Sequence, residues 1–364
     1  MSISSKTLDT ITDLVRAKAE AQAFSGVVQL QHGNITLWQE AFGYANRAWS
    51  IPNTPQMRFR VASIGKMFTA VAVLQLIDEG RVSLESRLLD CLPLPETTIP
   101  PETTIFQLLT MTSGVADWFE ESDEWEAQWA ELRRTTPLYL LRQNRDYLPL
   151  FSQKPPAGPP GVYRYSNASY ILLGLVLEQI TGLTYAEVIQ QRVFAAAHMT
   201  HSGFWGLAEV VEAVAEGYIP QEGADEIITG WQRNVYETTP DAAADGGATS
   251  TAHDLLRFIQ ALQNGQLLSP TLTQAMLTPQ VLTDTELFRG YGWYYGYGNA
   301  FLLNEHNQIV RYGHTGEEAG VSCRLYHYPA LSLDVVILGN QSNCAGAVGW
   351  AIHDALVSEA TTSV

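Results

Sequence analysis

The sequence predicts an α+β fold: an antiparallel sheet flanked by N- and C-terminal helices, with a mostly helical region inserted into it. Three observations carry the reading. Strand-like segments cluster towards the two ends of the 364-residue chain. The stretch between them has helical periodicity punctuated by proline and glycine. Each end also carries a helical segment of its own. One sheet built from both chain ends, with helices packed on it, accounts for all three. The corresponding division puts residues 1–80 and 205–364 in a sheet part and residues 81–204 in a helical part of a single domain.

In chain order, Leu8, Ile11, Leu14 and Val15 recur at helical spacing, so residues 6–23 read as an amphipathic helix. Residues 26–31 and 35–42 read as two strands around the turn His32-Gly33-Asn34. Arg58-Phe59-Arg60-Val61 reads as a short strand leading into a helix that starts at Ser63 and ends near Gly80. A proline-rich segment (93–101), a short helix (104–111) and an acidic stretch with a helical pattern (118–143) follow. Pro155-Pro156-Ala157-Gly158-Pro159-Pro160-Gly161 is a stiff loop. Apolar helices are expected at about 168–180 and 185–196. Thr251-Ala252-His253-Asp254 fits a capping box opening a helix through Leu262, with Gly265 just past its end. Residues 308–312, 321–328 and 333–338 look like consecutive strands, and 345–359 like a closing helix.

Composition narrows the function. The net charge is −17 and no block of lysine or arginine exists, which argues against nucleic acid or an anionic membrane as partner. The same charge also serves solubility. Cys91, Cys323 and Cys344 have no paired spacing, so they suggest buried thiols rather than disulfides or zinc. His198 and His201 have no carboxylate at ligand spacing, and no metal or cofactor is expected. No run is apolar enough to span a bilayer, and residues 1–23 lack a signal-peptide pattern. The chain as written is expected in the cytoplasm, or outside it if a leader precedes.

Ser63 and Lys66 stand three residues apart at the head of an apolar run, so on a helix they share a face. The chain has only four lysines, and Lys66 alone has a serine three residues before it. Those residues suit a serine nucleophile beside a base. They equally suit a helix cap with a snorkelling lysine. Tyr165-Ser166-Asn167 follows the proline loop, and His314-Thr315-Gly316 stands at a turn before the strand at Val321.

In that order the three motifs resemble the penicillin-recognising serine hydrolases, in the branch of class C β-lactamases, DD-carboxypeptidases, D-aminopeptidases and family VIII carboxylesterases. Leu108-Leu109-Thr110-Met111-Thr112-Ser113-Gly114 and Gly246-Gly247-Ala248-Thr249-Ser250-Thr251 extend the likeness, which runs from about Phe24 to Gly346. The resemblance implies a β-lactamase/transpeptidase-like fold and an acyl-enzyme on Ser63. Lys66 and Tyr165 would share the proton transfers, once burial and nearby dipoles lower the lysine pKa. It implies that Asn167 holds Lys66 and orients the substrate, or caps the following helix. The N–H groups of Ser63 and Glu317 would form the oxyanion hole. His314-Thr315-Gly316 would form the opposite wall. The bland alternatives are a packed tyrosine at 165 and a strand-end histidine at 314.

One departure bears on substrate. His314 stands where many relatives carry lysine, so a fixed charge for a substrate carboxylate is missing. An ester, small amide or D-amino-acid peptide is therefore the expected substrate. A β-lactamase, a DD-carboxypeptidase and a silent binding protein on the same fold are the alternatives. The segment 117–131 holds Asp117, Glu120, Glu121, Asp123, Glu124, Glu126 and Glu131 interleaved with Trp118, Trp125 and Trp129. It reads either as a solvated face over packed tryptophans or as an acidic rim favouring amine-bearing substrates.

Overall fold

The computed structural model describes residues 3–120, 125–223 and 227–362. Helix α1 is Ser5–Glu20, β1 Gly26–His32, β2 Ile35–Phe42 and α2 Gly65–Asp78. Helices α3 Trp125–Thr135, α4 Asn167–Thr181 and α5 Ala252–Gln263 follow. Strands β3 Val281–Leu282, β4 Gly292–Tyr295, β5 Ala300–Leu303, β6 Ile309–Glu318, β7 Val321–Tyr328 and β8 Leu333–Gly339 precede α6, Cys344–Thr362.

The main sheet is antiparallel throughout, in the order β2-β1-β8-β7-β6-β5-β4-β3. Every residue of β8 is buried, because helices cover both faces of the sheet there. Alternation along the strand sorts its side chains. Val335 and Ile337 join Ile11, Val15, Ile352 and Leu356 in a core under α1 and α6. Val336 and Leu338 join the larger core of α2, α4 and α5 on the other face. Helix α2 is apolar nearly all round and is enclosed accordingly. Its Phe68 packs edge-on against Phe194 and Phe258, with centroids 5.1 and 4.8 Å away.

The structure corrects several local expectations. Ser63 does not open the long helix. It sits in a 3-10 turn, Ala62–Ile64, and α2 starts at Gly65. Of the helical pattern expected over 118–143, the described residues form α3, and Thr135-Thr136-Pro137 stops it, since proline disfavours helical geometry in the residue before it. His314-Thr315-Gly316 is not a turn. Strand β6 runs through it, and Gly316 pairs with Cys323 of β7. Only half of the box at Thr251 forms: Thr251 accepts from Asp254 N–H, while the Asp254 carboxylate turns to His201 N–H and Ser202 Oγ at 2.7 and 2.8 Å. The helix expected over 185–196 is α-helical only across Tyr185–Ile189 and continues as a π-turn, Gln190–Phe194. Among the described residues no single helix is long and apolar enough to cross a membrane.

Candidate active site

Ser63 is presented by a tightly held turn. Phe59 and Arg60 pair with Ser250 and Thr249, and Val61 N–H donates to Ala248 C=O at 2.8 Å. Ala62 then takes a left-handed conformation, φ 44°. That geometry costs an L-residue about 1–2 kcal/mol and is held by its surroundings. Two glycines allow those surroundings to close in. A β-carbon on Gly316 would meet Val61 O at 2.2 Å, and one on Gly246 would meet the Ala62 carbonyl at 2.9 Å. The backbone of β6 therefore lies directly against the turn that carries Ser63.

Lys66 is wholly buried on the first turn of α2. Its ammonium donates to Ser63 Oγ at 3.0 Å, Asn167 Oδ1 at 2.7 Å and the Asp245 carbonyl at 2.6 Å. It also lies 5.0 Å from the ring centre of Tyr165 and 5.8 Å from that of Tyr170. Ser166, not Asn167, caps α4, accepting from Ser169 N–H. Asp117 completes the cap. Its carboxylate accepts from the N–H groups of Trp118, Asn167 and Ala168 at 2.7, 2.6 and 2.8 Å. Burial nonetheless pushes this carboxyl up to about 7 against the pull of those bonds.

His314 is buried, with Nε2 3.1 Å from the Tyr295 hydroxyl and Nδ1 2.5 Å from the Thr315 carbonyl. Burial, with the positive charges of Lys66 and Arg324, drives its pKa down to about 3. It is neutral at physiological pH. Glu317, at the end of β6, lines the cleft. Thr315 is half-buried within the strand, and the Tyr165 ring stands 6.5 Å from that of His314.

The cleft above Ser63 has a volume of about 1460 Å³. Asn167, Asp245 and Glu317 line it with Trp118, Phe119 and Trp129. Serine, buried lysine, amide and a broad apolar-walled opening together suit acyl transfer through a covalent ester.

A family profile described as Beta-lactamase matches residues 11–357. The chain belongs to the β-lactamase family. It is a serine hydrolase of the β-lactamase fold. The structure of a penicillin-binding protein from Bacillus halodurans superposes with a TM-score of 0.82 at 35% identity, covering 95% of this chain and 98% of that one. Penicillin-binding protein 4* of Bacillus subtilis is 26% identical, across 90% of this chain and 70% of its own length. Esterase EstB of Burkholderia gladioli is 27% identical, across 96% of this chain and 94% of its own.

Two carboxylates of this β-lactamase-family site were not singled out by sequence. Asp117 reads as part of a solvated acidic run, yet it is buried. Asp245 is buried too; its Oδ2 accepts from the Trp118 indole N–H at 2.9 Å. Burial raises its pKa while the Lys66 charge opposes the rise. The available signal was an acidic residue directly before Gly246-Gly247. The acidic rim, by contrast, loses members. Glu120 pairs with Arg164 and Glu131 with Arg134, each at 2.6 Å. Glu121, Asp123, Glu124 and the Glu126 side chain lie outside the described residues. Ser113 is structural, with its hydroxyl 3.2 Å from that of Ser169. His198 and His201 join no cluster of three or more metal-binding side chains among the described residues.

Proposed function

We propose that Ser63 is the nucleophile of an acyl-enzyme hydrolase acting on an ester or a small amide, D-amino-acid peptides included. The carrying observation is the buried Lys66 ammonium, 3.0 Å from Ser63 Oγ and held by Asn167. In its neutral form Lys66 takes the Ser63 proton as Oγ attacks the carbonyl carbon, and Tyr165 passes a proton to the leaving group. Water then attacks the acyl–Ser63 ester, releasing the acid and returning the proton to Ser63. The Ser63 and Glu317 N–H groups are the oxyanion donors in this reading, which the close seat of Gly316 on Val61 supports. The neutral, buried His314 supports a substrate without a recognised carboxylate.

The similarity to a penicillin-binding protein favours a second reading, action on β-lactams or peptidoglycan peptides. Intact-protein mass spectrometry of wild type and Ser63→Ala separates the two. Each is incubated with a short-chain activated ester, a D-alanine amide and a penicillin, with product release followed in parallel. Ester or amide turnover that depends on Ser63, with little stable penicillin adduct, is the expected result. Fast penicillin hydrolysis or a long-lived penicillin adduct would favour the second reading. No adduct and no turnover would leave a silent binding protein.

A further inference from the structure

Charge in the cleft is one-sided. The carboxylates of Glu222, Glu237, Asp245, Glu317 and Glu318 line it against the guanidiniums of Arg60 and Arg133. Both cations are already matched: Arg60 by Glu318 at 2.6 Å and Arg133 by Glu237. Arg60 Nη1 has no hydrogen-bond partner, but it is closed off from solvent and its charge is met on Nε. Glu317 in turn holds Arg324 and accepts from the Ser322 hydroxyl. His314 adds no charge.

Asp245 differs from the other four in position. Its carbonyl accepts from the same Lys66 ammonium that bonds Ser63 Oγ, the residue lines the cleft beside Ser63, and the Lys66 charge acts on its carboxyl. The carboxylate is fixed by Trp118, whose indole packs against Tyr147 at 5.0 Å and Trp129 at 6.3 Å. Phe119 and Trp129, 5.0 Å apart, continue the aromatic wall. A cation between a shielded carboxylate and aromatic faces gains from both, and an anion there is repelled with little screening. The arriving cation would itself hold Asp245 in its ionised form.

We infer that Asp245 is a specificity-determining residue of the Ser63 site: the cleft takes esters or amides whose acyl part carries a protonated amine, with Asp245 as counter-charge and the Trp118–Phe119–Trp129 wall receiving the apolar body. The inference rests on Ser63 being the nucleophile.

The test uses three ethyl esters of similar size at pH 6.5: 3-phenylpropanoate, phenylalaninate in each enantiomer, and the anionic half-ester of phenylsuccinate. Values of kcat/KM are compared for wild type, Ser63→Ala and Asp245→Asn. The expected wild-type order is ammonium above neutral above anionic, with about tenfold between the first two, the size of one favourable charge contact. Asp245→Asn keeps an acceptor for Trp118 and should lower the ammonium-to-neutral ratio by about the same factor. A measurement independent of the variant's folding is inhibition of 3-phenylpropanoate ester turnover in wild type by phenethylamine and by 2-phenylethanol. The amine should inhibit at about tenfold lower concentration. Equal inhibition, or Ser63-dependent turnover without an ammonium preference, overturns the inference and leaves the hydrolase reading standing. A preference for the anionic ester overturns it in favour of Arg60 as the recogniser. Failure of every ester, with Ser63→Ala indistinguishable from wild type, removes both.

Discussion

The carboxyl of Asp117 sets two forces against each other, and burial wins over three backbone donors. Its neighbours are Glu120, whose negative charge raises the pKa further, and Lys154, whose ammonium donates to the Asp117 carbonyl at 3.1 Å. The pKa stands at about 7 against an ordinary 3.8. At about 1.4 kcal/mol per pH unit, the gap is worth about 4 kcal/mol as an upper bound. The sign follows from proton counting. Between pH 4 and 7 the native state keeps a proton that the unfolded chain has released, so native stability falls as pH rises through that window. Below pH 4 both states are protonated and the contribution is fully present. Above about pH 7 both are ionised and it is gone. Asp117→Asn removes this titration while leaving one oxygen to accept. Urea unfolding of both proteins from pH 4 to 8 should show the variant gaining on wild type by up to about 4 kcal/mol between pH 4 and 7, then running parallel. A difference that is flat with pH would refute the reasoning by showing that the N–H bonds balance burial, and one that slopes the other way would show that they outweigh it.

Gly316→Ala should cut kcat about 100-fold, because the 2.2 Å approach of its β-carbon to Val61 O forces β6 off the Ser63 turn; steady-state kinetics beside a thermal melt would separate this from global loss of fold. Asn167→Ala removes an acceptor 2.7 Å from the Lys66 ammonium, and kcat should fall by about 10- to 100-fold on the scale of a charge-assisted hydrogen bond. His314→Gln should leave the shape of the rate–pH profile between pH 5 and 8 unchanged, since a group with a pKa near 3 does not titrate there; loss of an inflection in that range would show that His314 is charged in the working site.

Ser63, Lys66 and Asn167 were legible because motif order exposes them and Ser63 and Lys66 are sequence neighbours on one helical turn. The fold class was legible because the apolar runs at 321–328 and 333–338 are strands buried on both faces. Asp245 was not, because its contacts with Lys66 and Trp118 span 179 and 127 residues. Asp117 was misread for a related reason. An acidic residue among acidic residues looks solvated until a helix N-terminus 50 residues on is brought against it. The turn expected at His314-Thr315-Gly316 failed on strand continuity. Gly316 belongs to that expected turn, yet Gly313 and Gly316 let neighbouring backbone approach β6: a β-carbon on Gly313 would meet Leu325 O at 1.9 Å.

The pairing of Gly26–His32 with Leu333–Gly339 has a consequence for synthesis. On the ribosome β1 and β2 emerge early, but the inner edge of β1 has no partner until almost the whole chain has emerged. Folding dominated by such distant pairings is slow, and an open strand edge is a template for other chains. A chain halted before residue 333 would leave Val28 and Leu30 without the strand and C-terminal helix that cover them. Truncation near the end should therefore yield aggregates rather than a smaller hydrolase, and the last strand made acts as the latch on the first.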